Sequence, residues 1–268
     1  MIGLILGTSE GKKILSLLNE FTQDLFVSTA TAYGGELLKE YKFKELNTEP
    51  LDKATIIKKL GDKKIKVLID ASHPYALEIS KNAKEACEFL EIPYLRYERP
   101  SVIEKFRKYN NIVEIENYEA FGRIIREIDN LNSENVTILN TTGSRNIKTI
   151  RALELSCRII HRVLPSVEVM EECFSLGVKV EDIIAIKGPI GYDLNVSFIK
   201  EYNAKALLLK DSGVQGGTEE KLSAAVDMGI KAFVIGRKKA ESIEENTEFF
   251  TSEESLVKYI YNNFVEVK

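Results

Sequence analysis

Short runs of apolar residues recur along this chain and alternate with stretches whose apolar residues return every three or four positions. Ile2–Leu6, Leu25–Ala30, Val67–Asp70, Tyr94–Tyr97, Ile112–Ile115, Val136–Asn140, Arg158–Val163, Ile183–Lys187, Ala206–Lys210 and Ala232–Ile235 read as strands. Most are apolar throughout rather than alternating, the pattern of a sheet covered on both faces. Glu10–Glu20, Asp52–Leu60, Leu77–Leu90, Glu119–Asp129, Ser166–Leu176, Glu219–Met228 and Glu253–Phe264 carry the helical period. Strand–helix alternation implies parallel pairing, so the chain reads as doubly wound α/β. A polar run from Arg99 to Asn111 interrupts the alternation. A boundary there gives domains 1–105 and 106–268, the second repeating the plan of the first. The expected architecture is two Rossmann-like parallel-sheet domains facing a cleft.

Composition narrows the function. A net charge of −4 over 268 residues argues against nucleic acid as the main partner, although local basic clusters still suit a small anion. Cys87, Cys157 and Cys173 are widely spaced and lack metal-ligand spacing, as expected of buried thiols in a reducing cytoplasm. The apolar start Met1–Leu6 has no basic leader and runs straight into Gly7-Thr8-Ser9-Glu10, so it reads as a first strand. No apolar run reaches the roughly 20 residues that span a bilayer. A cytoplasmic protein without a membrane partner is expected.

The densest chemistry is Asp70-Ala71-Ser72-His73-Pro74-Tyr75-Ala76, directly after Lys66-Val67-Leu68-Ile69. A buried strand that ends in acid, hydroxyl, imidazole and phenol brings these groups to the carboxyl edge of a sheet, where open α/β proteins bind ligands. Pro74 fixes its own backbone and biases His73 away from helix. Gly7-Thr8-Ser9 joins the first strand to the first helix and suits a phosphate or carboxylate, although a tight turn alone also explains the glycine. The G-x-G-x-x-G fingerprint is absent. Thr141-Thr142-Gly143-Ser144-Arg145 repeats the logic; helix capping explains the hydroxyls but not Arg145. Lys187-Gly188 and Lys210-Asp211-Ser212-Gly213 each place a lysine at a strand end before an open loop. Arg96, Arg99, Arg162 and Arg237 also lie near strand ends and suit a substrate with several carboxylates. One histidine without a carboxylate cluster does not complete a metal site, so none is expected.

Taken together, these motifs resemble the precorrin-6A reductase family, cobalt-precorrin-6A reductases of the anaerobic cobalamin route included. The matching stretches are Gly7–Glu10, Asp70–Ala76, Arg96–Pro100, Thr141–Ser144, Arg162–Pro165, Ile184–Pro189 and Lys210–Gly213 with Gly216, Gly217, Glu220 and Lys221. They cover almost the whole chain in order. Leu6, Ser72, Lys187 and Lys238 depart from the residues usual there; Lys187 adds a charge where glutamine is frequent. The resemblance implies a two-domain Rossmann-like oxidoreductase that uses NADPH or NADH to reduce a double bond of a tetrapyrrole carrying many carboxylates. It leaves the two nicotinamides, and cobalt-containing against metal-free substrate, open.

On this reading Gly7, Thr8, Ser9, Thr141, Thr142, Gly143, Ser144, Arg145, Lys187 and Gly188 face the cofactor. Ser72, His73, Arg96, Arg99, Lys210, Asp211, Ser212 and Gly213 face the substrate, and His73 and Tyr75 are the candidate catalytic pair. Hydride delivery leaves negative charge that a donor must meet, unless the macrocycle nitrogens and solvent do so. The rival readings are an S-adenosylmethionine-dependent tetrapyrrole methyltransferase and a non-enzymatic two-domain ligand sensor.

Overall fold

The computed structural model describes residues 1–7, 10–128, 130–237 and 247–265. Among them the strands run as β1 (Ile2–Leu6), β2 (Leu25–Ser28), β3 (Glu45–Asn47), β4 (Val67–Ala71), β5 (Tyr94–Tyr97) and β6 (Ile112–Ile115). They continue as β7 (Thr137–Asn140), β8 (Arg158–Val163), β9 (Ile183–Ala185), β10 (Ala204–Lys210), β11 (Lys231–Ile235) and β12 (Glu248–Phe250). β1, β2, β4 and β5 are buried at every position, which follows from their unbroken apolar runs and from helices on both faces.

Every strand pair is parallel, in two six-stranded sheets ordered β12-β5-β4-β1-β2-β3 and β6-β11-β10-β7-β8-β9. Each has the doubly wound 3-2-1-4-5-6 arrangement. The winding direction reverses between β1 and β4 in one sheet and between β7 and β10 in the other. Loops diverge at such a reversal and leave room for a ligand at the carboxyl ends of the strands. Two Rossmann-like units are therefore present, as the strand–helix alternation implies.

The chain divides as Met1–Pro100 with Lys239–Lys268, and Ser101–Lys238. The first boundary lies close to the expected 105/106, but a continuous second domain over 106–268 differs from this arrangement. β12 adds to the open edge of β5, with Glu248, Phe249 and Phe250 opposite Leu95, Arg96 and Tyr97. The helix Glu253–Phe264 then buries Leu256, Val257 and Ile260 in the same core as Ile14, Leu15 and Leu18. Tyr97 donates to Glu253 Oε1 at 2.7 Å, which fixes the helix start against β5. β6 plays the corresponding part in the second sheet, filling the sixth place beside β11 although it comes first in that unit.

β3 and β12 lie outside the strands expected from sequence because each is short, sits at a sheet edge and has few buried positions. Their residues make no apolar run. The three cysteines are free and buried, and burial pushes the Cys87 thiol up to about 12. No helix among the described residues is long and apolar enough to cross a membrane.

Leu256→Ala should destabilise the protein by about 2–5 kcal/mol through a cavity in the first unit. Urea unfolding measures it; a loss below about 1 kcal/mol would mean that the C-terminal helix is not part of that core.

Candidate functional site

Three central strands end in the same device. Asp70, Asn140 and Asp211, at or directly after the ends of β4, β7 and β10, are 0%, 0% and 1% exposed. Each side-chain oxygen accepts from the backbone N–H two residues on: Ser72 at 2.9 Å, Thr142 at 3.0 Å and Gly213 at 3.3 Å. This is the Asx turn, in which a short polar side chain replaces the hydrogen bond that the ending strand no longer provides. The neighbouring strand supplies a second partner. Arg96 stands opposite Asp70 in register and His161 opposite Asn140, while Arg237 follows β11 beside Asp211. Fixed turns at the sheet reversals are the outcome.

In the first unit Asp70 lies at the centre of a buried network. Arg96 Nη1 meets Asp70 Oδ1 at 2.8 Å, and Tyr94 donates to Oδ2 at 2.6 Å. Burial alone would raise the Asp70 carboxyl, but Arg96 and hydrogen bonds from Ser80, Tyr94 and Ser72 hold it below the usual carboxylate range. Burial likewise opposes the charge on Arg96, and Asp70, Tyr94 and Glu98 together more than restore it. Above this network the chain turns through His73, whose carbonyl accepts from Ala76 N–H at 2.8 Å. His73 Nδ1 accepts from Tyr75 N–H at 3.3 Å, which puts the ring proton of the neutral imidazole on Nε2. The His73 and Tyr75 rings lie 5.7 Å apart. Gly7 N–H donates to Ala71 O at 2.9 Å, so the turn after β1 starts beside the Ser72–Tyr75 turn. Thr8 and Ser9 lie outside the described residues.

In the second unit Thr141 donates to Leu208 O through its N–H at 2.8 Å and its hydroxyl at 3.0 Å, tying the start of the turn after β7 to strand β10. Gly143 has φ +86°, and a Cβ built there would meet nothing within 4 Å, so the backbone is open to a ligand. Arg145 is exposed. Burial, and to a lesser degree the charge of Arg145, lower the pKa of Lys210. Ser212 N–H donates to Thr218 Oγ1 at 3.0 Å, holding the Lys210–Gly213 turn to the next helix. The exposed Lys187 and Gly188 follow β9, and their turn reaches Gly217 through Pro189. No group of three His, Cys, Asp or Glu among the described residues could hold a metal ion.

Four residues given to the substrate by the sequence reading, Arg96, Ser72, Asp211 and the 5% exposed Arg99, belong to the interior instead. Arg96 is 2% exposed and is committed to Asp70 and to Ser72 Oγ at 3.0 Å. The Ser72 hydroxyl also lies 3.2 Å from Ser80 Oγ. Asp211 is paired with Arg237 at 3.0 Å. A strand end places a residue along the sheet but leaves open whether its side chain faces the ligand or the fold, and buried opposite charges choose each other. The sequence reading gives no role to Asn140, His161 or Asn195, and names Lys221 only within the family resemblance. His161 is buried, its Nδ1 lies 2.9 Å from Asn140 Nδ2, and burial, with smaller effects from Asp182 and Arg151, lowers its pKa to about 4. Lys221 sits in an amphipathic helix and reads as solvated until its burial is seen.

Residues 1–260 match the family described as precorrin-6x reductase CbiJ/CobK. The cobalt-precorrin-6A reductase of Priestia megaterium is 32% identical over 257 residues, covering 95% of this chain and 96% of that protein. The cobalt-precorrin-6A reductase of Methanocaldococcus jannaschii is 33% identical over 252 residues, covering 94% and 93%. A solved structure described as CobK precorrin-6A reductase shares the fold, with a TM-score of 0.75 at 15% identity over 100% of this chain and 99% of that one.

Arg96→Met should cost about 3–5 kcal/mol by leaving the Asp70 charge buried alone, and adding Asp70→Asn should recover part of it. Equal stability of the single and double variants in urea would contradict this pairing. His161 gives a separate acid signature. Its folded-state pKa of about 4 lies below the ordinary 6.5, so the unfolded chain binds the extra proton in that window. Stability should therefore fall, by on the order of 3 kcal/mol, as pH drops from about 6.5 to about 4. His161→Gln should flatten the slope; an unchanged slope would show that the histidine does not titrate between the two states.

Proposed function

Because this chain belongs to the precorrin-6x reductase family, we propose that it reduces precorrin-6A, in its cobalt-containing or metal-free form, by hydride transfer from NADPH or NADH. The observation that carries the assignment of the site is the open backbone at Gly143, which has φ +86° and nothing within 4 Å of a built Cβ, next to the exposed Arg145. An open turn beside a guanidinium suits an anion. Both the nicotinamide dinucleotide and a polycarboxylate macrocycle supply one.

Within the second unit the nucleotide phosphates are assigned to Thr141, Thr142, Gly143, Ser144 and Arg145, together with Lys187 and Gly188 of the turn after β9. The open backbone at Gly143 and the nearby exposed guanidinium of Arg145 fit a phosphate. When bound, the dinucleotide supplies the hydride. The chain's own part is to hold anions and to meet developing charge. Lys210, Ser212 and Gly213, all in the second unit, are assigned to the substrate side. His73 presents Nε2, with Nδ1 held by the Tyr75 amide, and serves either to donate a proton or to position the macrocycle. Tyr75 holds that turn and flanks the imidazole.

Anaerobic incubation with precorrin-6A, or its cobalt form, and each nicotinamide tests the reading through loss of reduced-nicotinamide absorbance. No oxidation with any pairing would overturn it; methyl transfer from S-adenosylmethionine would replace it with the transferase reading. Binding of the macrocycle without any turnover would favour the sensor. Arg145→Ala should weaken nucleotide binding by roughly 1–3 kcal/mol, and an unchanged dissociation constant would remove Arg145 from the phosphate site. His73→Ala should lower kcat with nucleotide affinity intact if the histidine is the acid, or raise KM alone if it positions substrate. Wild-type kinetics would exclude both roles.

A further inference from the structure

We infer that Arg162 and Lys221 form a second anion subsite within the second unit, one that takes a phosphate or carboxylate of the bound ligand. The inference rests on the reductase reading above and adds residues to its site. Arg162 lies on β8, and Lys221 lies on the helix Thr218–Asp227 with 5% exposure. Among the described residues, Arg162 Nη1 donates to Asn195 Oδ1 at 2.9 Å and Lys221 Nζ donates to Gly216 O at 2.8 Å; both acceptors are neutral. No carboxylate of the described residues comes within 4.0 Å of either cation. Arg96 with Asp70 and Arg237 with Asp211 show how this fold otherwise neutralises an inward guanidinium. A buried ammonium beside a half-buried guanidinium, with no carboxylate in ion-pair reach of either, is costly, and a ligand anion removes that cost.

The surroundings are built around the pair. Asn195, which receives Arg162, also donates to Ile190 O at 3.2 Å and to Gly191 O at 2.8 Å, so one amide ties the guanidinium to the turn after β9. Gly217 has φ +65°, and a Cβ there would lie 3.1 Å from Pro189 Cβ. Any side chain would push apart the turns after β9 and β10. The charges facing Lys221 are Arg162 from β8 and Glu220 from its own helix. Burial lowers its pKa first, Arg162 lowers it further and Glu220 raises it, to about 7 overall. Burial lowers Arg162 to about 10. Glu220 makes no ion pair with Lys221, and its Oε2 is buried without a donor, so it offsets the charge of Lys221 only in part. Binding an anion next to Lys221 favours the ammonium form and draws a proton from solvent above neutrality.

The test uses the full-length chain with Lys221→Met and, separately, Arg162→Gln. Three quantities are measured: the dissociation constant of the reduced nucleotide, that of inorganic pyrophosphate, and KM for the tetrapyrrole. A tenfold or greater weakening of nucleotide and pyrophosphate assigns the subsite to a phosphate. A tenfold or greater rise in KM alone assigns it to a substrate carboxylate. Lys221→Met should leave the melting temperature of the ligand-free protein unchanged or raised, because it deletes a buried charge that is only partly compensated; a merely structural lysine would lower it and leave affinity alone. Calorimetry just above neutral pH should show proton uptake on ligand binding by the wild type and less by Lys221→Met. Should Lys221→Met fail to fold, Arg162→Gln carries the same affinity readouts. All ligand constants within twofold of wild type in a folded variant overturn the subsite, with wild-type turnover leaving the reductase reading intact. Wild-type protein that oxidises neither nicotinamide, while pyrophosphate affinity still depends on Lys221, overturns the reductase reading and keeps the subsite.

Discussion

Everything at the ligand edges of this protein depends on how a buried parallel strand stops. Its last amides leave the ladder in a region with little water, and each must find an acceptor. Asp70, Asn140 and Asp211 solve this with their own side chains. Two of the three are charged, so the solution creates a second requirement, met by Arg96 and Arg237 from the neighbouring strands. Asn140 carries no charge and takes a histidine kept neutral by burial. The turns beyond these residues are then set before any ligand arrives, as binding without a large ordering cost requires.

A division of labour among basic residues follows. Inward-facing guanidiniums next to an Asx carboxylate hold the turns; cations that lack such a partner are left for ligand. Arg96 and Arg162 are similar in sequence context, each near the end of a strand in its own sheet, yet they fall into different groups. Arg96 stands in register with an acid. Arg162 pairs across the sheet with Ile184 and finds only the Asn195 amide. The identity of one cross-strand neighbour separates a structural arginine from one available for binding.

This contrast marks how far the sequence can be read. Fully apolar runs such as Val67–Ile69 and Leu207–Leu209 announce a two-sided sheet, and strand–helix alternation announces parallel winding. The turns after β4, β7 and β10 are legible because reactive and small residues follow apolar runs directly. Register is not legible, since it is fixed by which strands become neighbours. The sequence therefore places Arg96 and Asp211 at the carboxyl edge of a sheet but does not show that their side chains turn into the fold. The edge strands Glu45–Asn47 and Glu248–Phe250 carry no signal because a strand with one neighbour and few buried positions needs no apolar run. Lys221 shows the converse problem: its helix has the polar pattern of a solvated face, and only the turns packed over it reveal that the ammonium is inside.

The return of the chain to its first sheet has a consequence for biosynthesis. A ribosome releases Met1–Pro100 well before Glu248 exists, and domains emerging first ordinarily fold first. Here the nascent first sheet waits with the outer edge of Tyr94–Tyr97 unpaired while the whole second unit is synthesised. An unpaired strand edge is adhesive toward other chains. The order of translation thus runs against the order of completion, and the interval is set by the length of the second unit. A polypeptide stalled or cleaved before Glu248 would present that edge permanently, so the last strand serves as a seal against self-association of the nascent chain.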